Sequence, residues 1–483
     1  MTSVALTIES LKRRALSLGA IKTFDYAMQF LLPVVLVRCL DAATFGEYRL
    51  LWLAVGTVMI VPLNMPQALF FFLPRADARQ KRVYILNTFA FLFGMGLLAA
   101  WAVSPWDPWR PQSMLPLARY GALVPAFVLF YVATHVLDSL PTIDERIGWQ
   151  AWITVGLSML RVVLLAAAAF ATGELLPMLW VLVGIVVLKA VLFFAYVARF
   201  HGLRRPWLDR KLFAGQFAHA APIGVSVALF GMRVQMDQWV AAHLFVLASF
   251  AAFSVAAVLA PIVNLFRASV NDALLPSMSR LQSAGDVRSM LEMNSRANCM
   301  VGTLLYPVLA FAFLFAPDII GVVYTANYLE AVPVMRVYII GLAAMVLETG
   351  SLTLLMREGP FAMRVNMVVL ALAILTSYLG ALHFGLAGAA LGSVSALFID
   401  RSAMLWRMGQ RSGVPFRAIQ DWRGLALALL NGIVTALVVW GLVDLYFAEA
   451  RPLMRLAAGG VLLAVAYVAL PSLRSAARLK GAA

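Results

Sequence analysis

Residues 20–38 read AIKTFDYAMQFLLPVVLVR. The stretch is apolar and long enough to cross a bilayer, which takes about 20 mostly apolar residues. Yet Lys22 and Asp25 lie inside it, spaced i and i+3 on one face of a helix. A single charge in hydrocarbon costs at least about 2.5–3.5 kcal/mol. Burying the two as an ion pair costs less than burying either alone, but two leucines would make a better purely structural span. The segment therefore reads as a membrane helix with a polar face, extended by Thr23 and Gln29, that has a role inside the membrane.

The whole chain follows this pattern. Its 483 residues are 63% hydrophobic and 13% charged, where soluble domains carry about 25% charged residues. The mean hydropathy is +0.88. Fourteen apolar runs follow one another at 16–38, 48–73, 83–103, 117–138, 150–171, 178–199, 213–235, 247–270, 298–316, 334–356, 363–383, 386–406, 424–444 and 453–472. The runs at 363–383 and 386–406 are split only by His383, Phe384 and Gly385, and the run at 213–235 holds Gln216, His219 and Arg233. The expected fold is an all-α polytopic membrane protein of about fourteen transmembrane helices.

The longest stretch between runs, 271–297, has the mixed charge and apolar spacing of an amphipathic cytoplasmic segment. It suggests an N-terminal six-helix lobe over 1–210, a C-terminal six-helix lobe over 211–412, and two added helices over 413–483.

Basic residues fix an expected orientation. With the N-terminus cytoplasmic, 26 of the 38 Lys and Arg fall in cytoplasmic segments, and only Arg110, Arg119, Arg451 and Arg455 fall in the opposite loops. By the positive-inside rule both termini are cytoplasmic. The same rule accounts for the net charge of +15 without nucleic acid, since no basic stripe interleaved with aromatics occupies a soluble domain. The first run exceeds 20 residues and lacks a small-residue cleavage site, so it reads as an uncleaved span. The two cysteines, Cys39 and Cys299, and the five scattered histidines suggest neither a disulfide framework nor a metal site. No cofactor is implied.

Charges deep inside runs are the best pointers to function. They are Lys22, Asp25, Arg161, Lys189 and Glu348. Nearer run ends lie Arg38, Arg49, Arg233, Asp237 and Arg336, which fit an outer gate or interface anchors, and Arg267 lies near the inner end of the eighth run. Gln29, Asn64 and Gln67 add amides of the kind that line a polar interior. Pro33, Pro62, Pro66, Pro222, Pro261 and Pro307 fall inside runs and can kink them.

Three stretches carry a family resemblance. Residues 37–48, VRCLDAATFGEY, join the first two runs through an Arg-containing turn and Phe-Gly-x-Tyr. Asp237, SFAAFSVAAVL (249–259) and ALLPSMSRLQSAGD (273–286) follow in order, then PDIIGVVYTANYLEAVPVMRV (317–337). Together they resemble the polysaccharide transporter family, the Wzx-type lipid-linked oligosaccharide flippases, within the group that includes MATE drug exporters and lipid II flippases. Phe253 and Ala252 depart from the tyrosine and the glycine or isoleucine common there.

The resemblance implies two lobes rocking around a central cavity in the bacterial inner membrane. The cargo it implies is an undecaprenyl-diphosphate-linked oligosaccharide, moved to the outer leaflet for surface polysaccharide synthesis beside a polymerase and glycosyltransferases. Lys22, Arg161 and Lys189 would then contact the head group. Asp25 and Glu348 would balance charge or couple transport to H⁺ or Na⁺. A MATE-like antiporter and a lipid II flippase are the alternatives, and the basic lean of the deep charges weighs against the first. A polymerase or ligase would be expected to carry a large external loop, which the chain lacks; the expectation is a transporter and not an enzyme.

Overall fold

A computed structural model describes the backbone of residues 8–202 and 204–480. Among the described residues every element is helical, and each of the fourteen apolar runs is occupied by helix. Ten of the helices are long and apolar enough to cross a membrane by themselves. The other four runs show why their helices fall short of that measure. Runs two and ten are broken into Ala42–Val58 with Met65–Phe72 and Ala331–Ala344 with Gly350–Leu355. Run twelve, Leu391–Ser412, carries Asp400, Arg401, Arg407 and Arg411. Run fourteen lies in the helix Pro452–Lys480, whose side chains are described only as far as Tyr467.

Local chemistry sets many of the ends. Asp41 caps Ala42–Val58 by accepting from the Ala43 and Thr44 amides at 2.8 and 2.9 Å, which satisfies donors that the first helical turn cannot. Its carboxyl is held below the usual range, chiefly by the Thr44 amide. Asp77 and Gln80 form a reciprocal capping box at the start of Ala78–Ala102. Between runs eleven and twelve the chain reverses at Gly385, whose φ of 63° and ψ of −145° favour glycine. The two arms then pack so tightly that a Cβ on Gly380 would stand 2.3 Å from the Gly388 carbonyl oxygen.

The helices form two compact units. The first holds the described residues up to Gln235 with Val246–Ala251; the second holds Met236–Phe245 and the chain from Ala252 on. The division falls within the seventh helix, Arg210–Leu244, and the last two helices belong to the second unit. Residues 271–297 do not make a separate surface helix. They are divided between the continuous helices Ala260–Ser283 and Val287–Leu314. Met278, Met290 and Leu291 from this stretch are buried against Leu352, Met404 and Met408. Large apolar side chains such as Val163, Phe170, Trp180, Val191, Leu430 and Val438 are exposed on helix faces, as lipid contact requires.

In the first unit, helix one (Ile8–Cys39) packs on helix five (Ile147–Thr172), which packs on helix six (Leu175–Phe200); the fourth run, Leu123–Ala133 and Thr134–Asp138, packs on helix Ala78–Ala102 of the third run and on helix six. The break in run two lies at residues 59–64, with Leu63 and Asn64 at positive φ and prolines at 62 and 66. Unwound backbone is tolerated at membrane depth only where protein covers it. Here the seventh helix covers it. Its Gly224 sits against Leu63, and a Cβ there would stand 2.3 Å from the Leu63 carbonyl oxygen. Thr57 Oγ1 donates to Gln235 Oε1 at 3.3 Å on the same helix.

On one side of this unit Asp144 accepts from Tyr196 Oη and pairs with His201 Nε2, both at 2.8 Å. Burial pushes the Asp144 carboxyl up, but the His201 and Tyr196 contacts outweigh it and leave it below its ordinary value of 3.8.

Gly224→Ala is expected to force the seventh helix off the break and to lower thermal stability in detergent, whereas Ala at the open Gly215 should change little. Asp144→Asn is expected to cost about 1–3 kcal/mol at neutral pH. A lowered folded pKa stabilises above the unfolded value and ceases to do so as pH falls through the folded one. The gap between wild type and variant, read by thermal melts, should therefore close below about pH 3.8.

Candidate functional site

Within the first unit, five spans bring polar and aromatic side chains into one chain of contacts. Asp25 of helix one accepts from Gln29 Nε2 at 2.8 Å, one turn on, and from Ser158 Oγ of helix five. Arg161 follows Ser158 by one turn, and its guanidinium carbon stands 5.9 Å from the ring centroid of Trp52 in run two. Trp52 meets Tyr131 of run four edge to face at 5.8 Å. Lys189 of helix six lies with its ammonium 5.9 Å from the Tyr131 ring and forms an ion pair with Asp138 Oδ1 at 2.6 Å. Asp138 Oδ2 is 3.0 Å from His135 Nδ1, and Gln150 Nε2 donates to the Asp138 carbonyl at 3.0 Å.

Depth gives this cluster its meaning. Arg161 and Lys189 each lie roughly 16–21 Å of helix from either end of their spans, too far for an easy reach to the interface. Lys189 is balanced by Asp138. Among the described residues Arg161 has no ion-pair partner; it faces aromatic rings, a contact worth about 0.5–2 kcal/mol. Arg161 Nε and Trp52 Nε1 are both buried with no acceptor. A buried donor left unpaired costs about 1–3 kcal/mol, and two such donors stand at this point of the first unit.

The second unit holds a different polar group, centred on the break in run ten. Arg267 of helix Ala260–Ser283 forms an ion pair with Glu348 and donates to the Met345 carbonyl. Arg401 donates to Thr349 Oγ1. From helix Val287–Leu314, Asn294 Nδ2 donates to the Glu348 carbonyl at 3.2 Å, and Asn298 Oδ1 accepts from the Glu348 amide at 3.1 Å. Ser351 N donates to Glu348 Oε1 at 2.9 Å. Arg267 is thus the base that balances Glu348, and the whole group ties down unwound backbone.

The remaining expected residues are dispersed. The Lys22 side chain lies outside the described residues. Asn64 takes a left-handed conformation at the break in run two, and Gln67 is exposed on the short helix after it. Arg38 donates to the Val34 carbonyl one turn back, and Arg49 is half-buried. Arg233 is 6% exposed and stacks over Phe230 at 5.0 Å. Asp237 is 2% exposed and accepts from Tyr338 Oη at 2.7 Å and from the Gln238 amide at 2.8 Å. Arg336 Nε donates to the Phe313 carbonyl at 3.1 Å. Cys39 and Cys299 are free, and the described residues hold no metal-ligand cluster.

Sequence reading missed Asp138, Trp52, Tyr131 and Arg401. Asp138 is the last residue of the run 117–138 and is not among the charges deep inside runs. The signal that could have found it is the neighbouring span's Lys189, which needs an acid.

Comparison with known proteins supplies the family. A family model for the lipid II flippase MurJ matches residues 83–456. Among solved structures, the fold is similar to a lipid II flippase MurJ in an inward closed conformation, at 12% identity and TM-score 0.68, over 94% of this chain and 98% of that one. It is also similar to an inward-facing multidrug resistance MATE family transporter (14% identity, TM-score 0.54, 82% of this chain and 94% of that one). A third is a MOP superfamily transporter from Pyrococcus furiosus (13% identity, TM-score 0.51, 83% and 96%). No curated protein matches the chain.

The family match corrects the Wzx-type assignment. The first of the stretches behind that assignment, 37–48, is engaged in packing and capping contacts. There Asp41 caps a helix, Gly46 lies against the Leu247 backbone, and buried Glu47 meets Arg119 and Tyr120 at 2.6 Å each.

The Arg267–Glu348 pair gives a stability test. Removing one partner of a buried pair leaves an uncompensated charge and costs about 3–5 kcal/mol, while removing both costs far less. Thermal melts of Arg267→Met, Glu348→Gln and the double variant should show two large single losses and a double loss smaller than their sum.

Proposed function

The chain belongs to the lipid II flippase MurJ family, and on that premise we propose that it moves lipid II, or a closely related lipid-linked sugar diphosphate, across the cytoplasmic membrane. The observation that carries this reading is the family match over most of the chain, 83–456. The chemistry of the first unit supports it. A diphosphate head group brings negative charge and many hydroxyls into a region where water is scarce. Arg161 offers a planar guanidinium for bidentate contact with phosphate oxygens, and Lys189 offers a compact ammonium. Trp52 and Tyr131 supply flat apolar faces beside them.

Asp25, held by Gln29 and Ser158, keeps the region from becoming too cationic to release its cargo. Glu348 is engaged by Arg267 and serves charge balance. The head group is taken up at one face of the membrane and released at the other by alternating access, with both termini on the cytoplasmic side. A membrane glycosyltransferase must supply such a cargo, and a polymerase acting outside must consume it.

The test is transport of fluorescent lipid II in proteoliposomes, scored by its accessibility in each leaflet. Wild type should move it, and Arg161→Ala and Lys189→Ala should each slow movement at least about tenfold, equivalent to ~1.4 kcal/mol, with normal insertion. Full transport in both variants would remove the head-group assignment. No movement of lipid II by wild type, with movement of a different lipid-linked saccharide, would keep the family and change the cargo.

A further inference from the structure

The ion pair between Lys189 and Asp138 is unequal. The Lys189 side chain is 12% exposed, while that of Asp138 is 47% exposed. The base is enclosed and the acid stands open to an incoming molecule. Asp138 closes the short 3₁₀ segment Thr134–Asp138. Its second oxygen is already held by His135 of the same turn at 3.0 Å, so the carboxylate keeps a partner if the ammonium leaves. On the other side of Tyr131 lie Trp52 and Arg161, with two buried donors that lack acceptors.

We propose that Asp138 is a built-in stand-in for the cargo's phosphate: it neutralises Lys189 in the empty carrier and gives the ammonium up when a lipid diphosphate binds. The proposal rests on the cargo reading above and assigns a specific residue to the exchange. A lone ammonium at this depth would cost at least about 2.5–3.5 kcal/mol. A permanently satisfied one would contribute nothing to binding. An internal carboxylate of modest hold solves both problems. The diphosphate first meets the idle donors of Arg161 and Trp52, then replaces Asp138 on Lys189, and the displaced carboxylate remains on His135. On release the order reverses, and the returning carboxylate competes the phosphate away. The exchange is a swap of ion-pair partners, with no covalent step and no net proton transfer.

This arrangement predicts opposite changes in affinity and turnover. In Asp138→Asn the competitor is gone, so nanodisc-embedded protein should bind lipid II at least about fivefold more tightly while transporting it several-fold more slowly. Asp138→Ser serves as a second neutral variant, and either one that folds suffices. Asp138→Glu retains a carboxylate and should return both quantities toward wild type. Lys189→Gln should weaken binding, because it leaves the carboxylate facing the phosphate unopposed. Adding Asp138→Asn to it should recover part of that loss. Equal or weaker binding by the neutral Asp138 variants, or parallel losses of binding and turnover, would mean a structural pair and overturn the proposal. Failure of the cargo reading looks different: wild type itself would not bind lipid II, and the stand-in role would fall with it.

Discussion

Backbone that leaves the helix inside a bilayer has no water to bond with, and that constraint organises this molecule. Runs two and ten both break at membrane depth. Each break survives because other helices of the same unit cover it or meet its polar groups. At residues 59–64 the cover is steric: Gly224 lets the seventh helix lie directly on the Leu63 carbonyl. At residues 345–349 the cover is polar, with Asn294, Asn298, Arg267 and Arg401 supplying bonds to Met345, Glu348 and Thr349. An unpaired backbone group in hydrocarbon costs several kcal/mol, so these contacts are conditions for the breaks to exist.

The same constraint sorts the intramembrane charges into two kinds. Arg267, Glu348 and Arg401 serve the break in run ten: Arg267 pairs with Glu348 and reaches the Met345 carbonyl, and Arg401 reaches Thr349 Oγ1. Among the described residues Arg161 and Lys189 bond to no backbone group. They lie mid-span against aromatic rings, one paired with an accessible acid and the other with idle donors. Charges that do not serve the fold, held where charge is expensive, are where function is to be sought.

This division explains what could be read in the sequence. Apolar run length is a one-dimensional property, so the helices were legible down to the reversal at Gly385. The deep charges were legible too, because composition alone makes them anomalous. Which of them secure backbone was not legible, since that depends on tertiary neighbours. Proline at 62 and 66 announced a kink in run two, but only Gly224 decides how far the chain unwinds. Asp138 was hidden because its run ends there, and a residue at a span's edge looks solvated until the opposite helix is in place. The cargo branch was misread for a related reason: residues 37–48 carry a cap, a close backbone contact and the Glu47 lock, and all three are demands of the fold.

A carrier for a charged head group faces a conflict between holding and releasing. Strong cationic contacts lower the energy of the bound state, and uniform tight binding slows turnover. On the function proposed above, the first unit meets this with acids placed beside its bases. One is Asp25, one turn from Gln29 and bonded to Ser158, and the other is Asp138, paired with Lys189. In formal charge Asp25 and Asp138 therefore balance Arg161 and Lys189, and on the function proposed above the cations are available to cargo without being bare. Lys189 of helix six is held by an acid of run four, so any motion of one helix against the other changes the hold on the ammonium. A conformational cycle that shifts these elements by a side-chain length would alter affinity at the moment the site changes its exposure, which is what release against a favourable charge interaction requires.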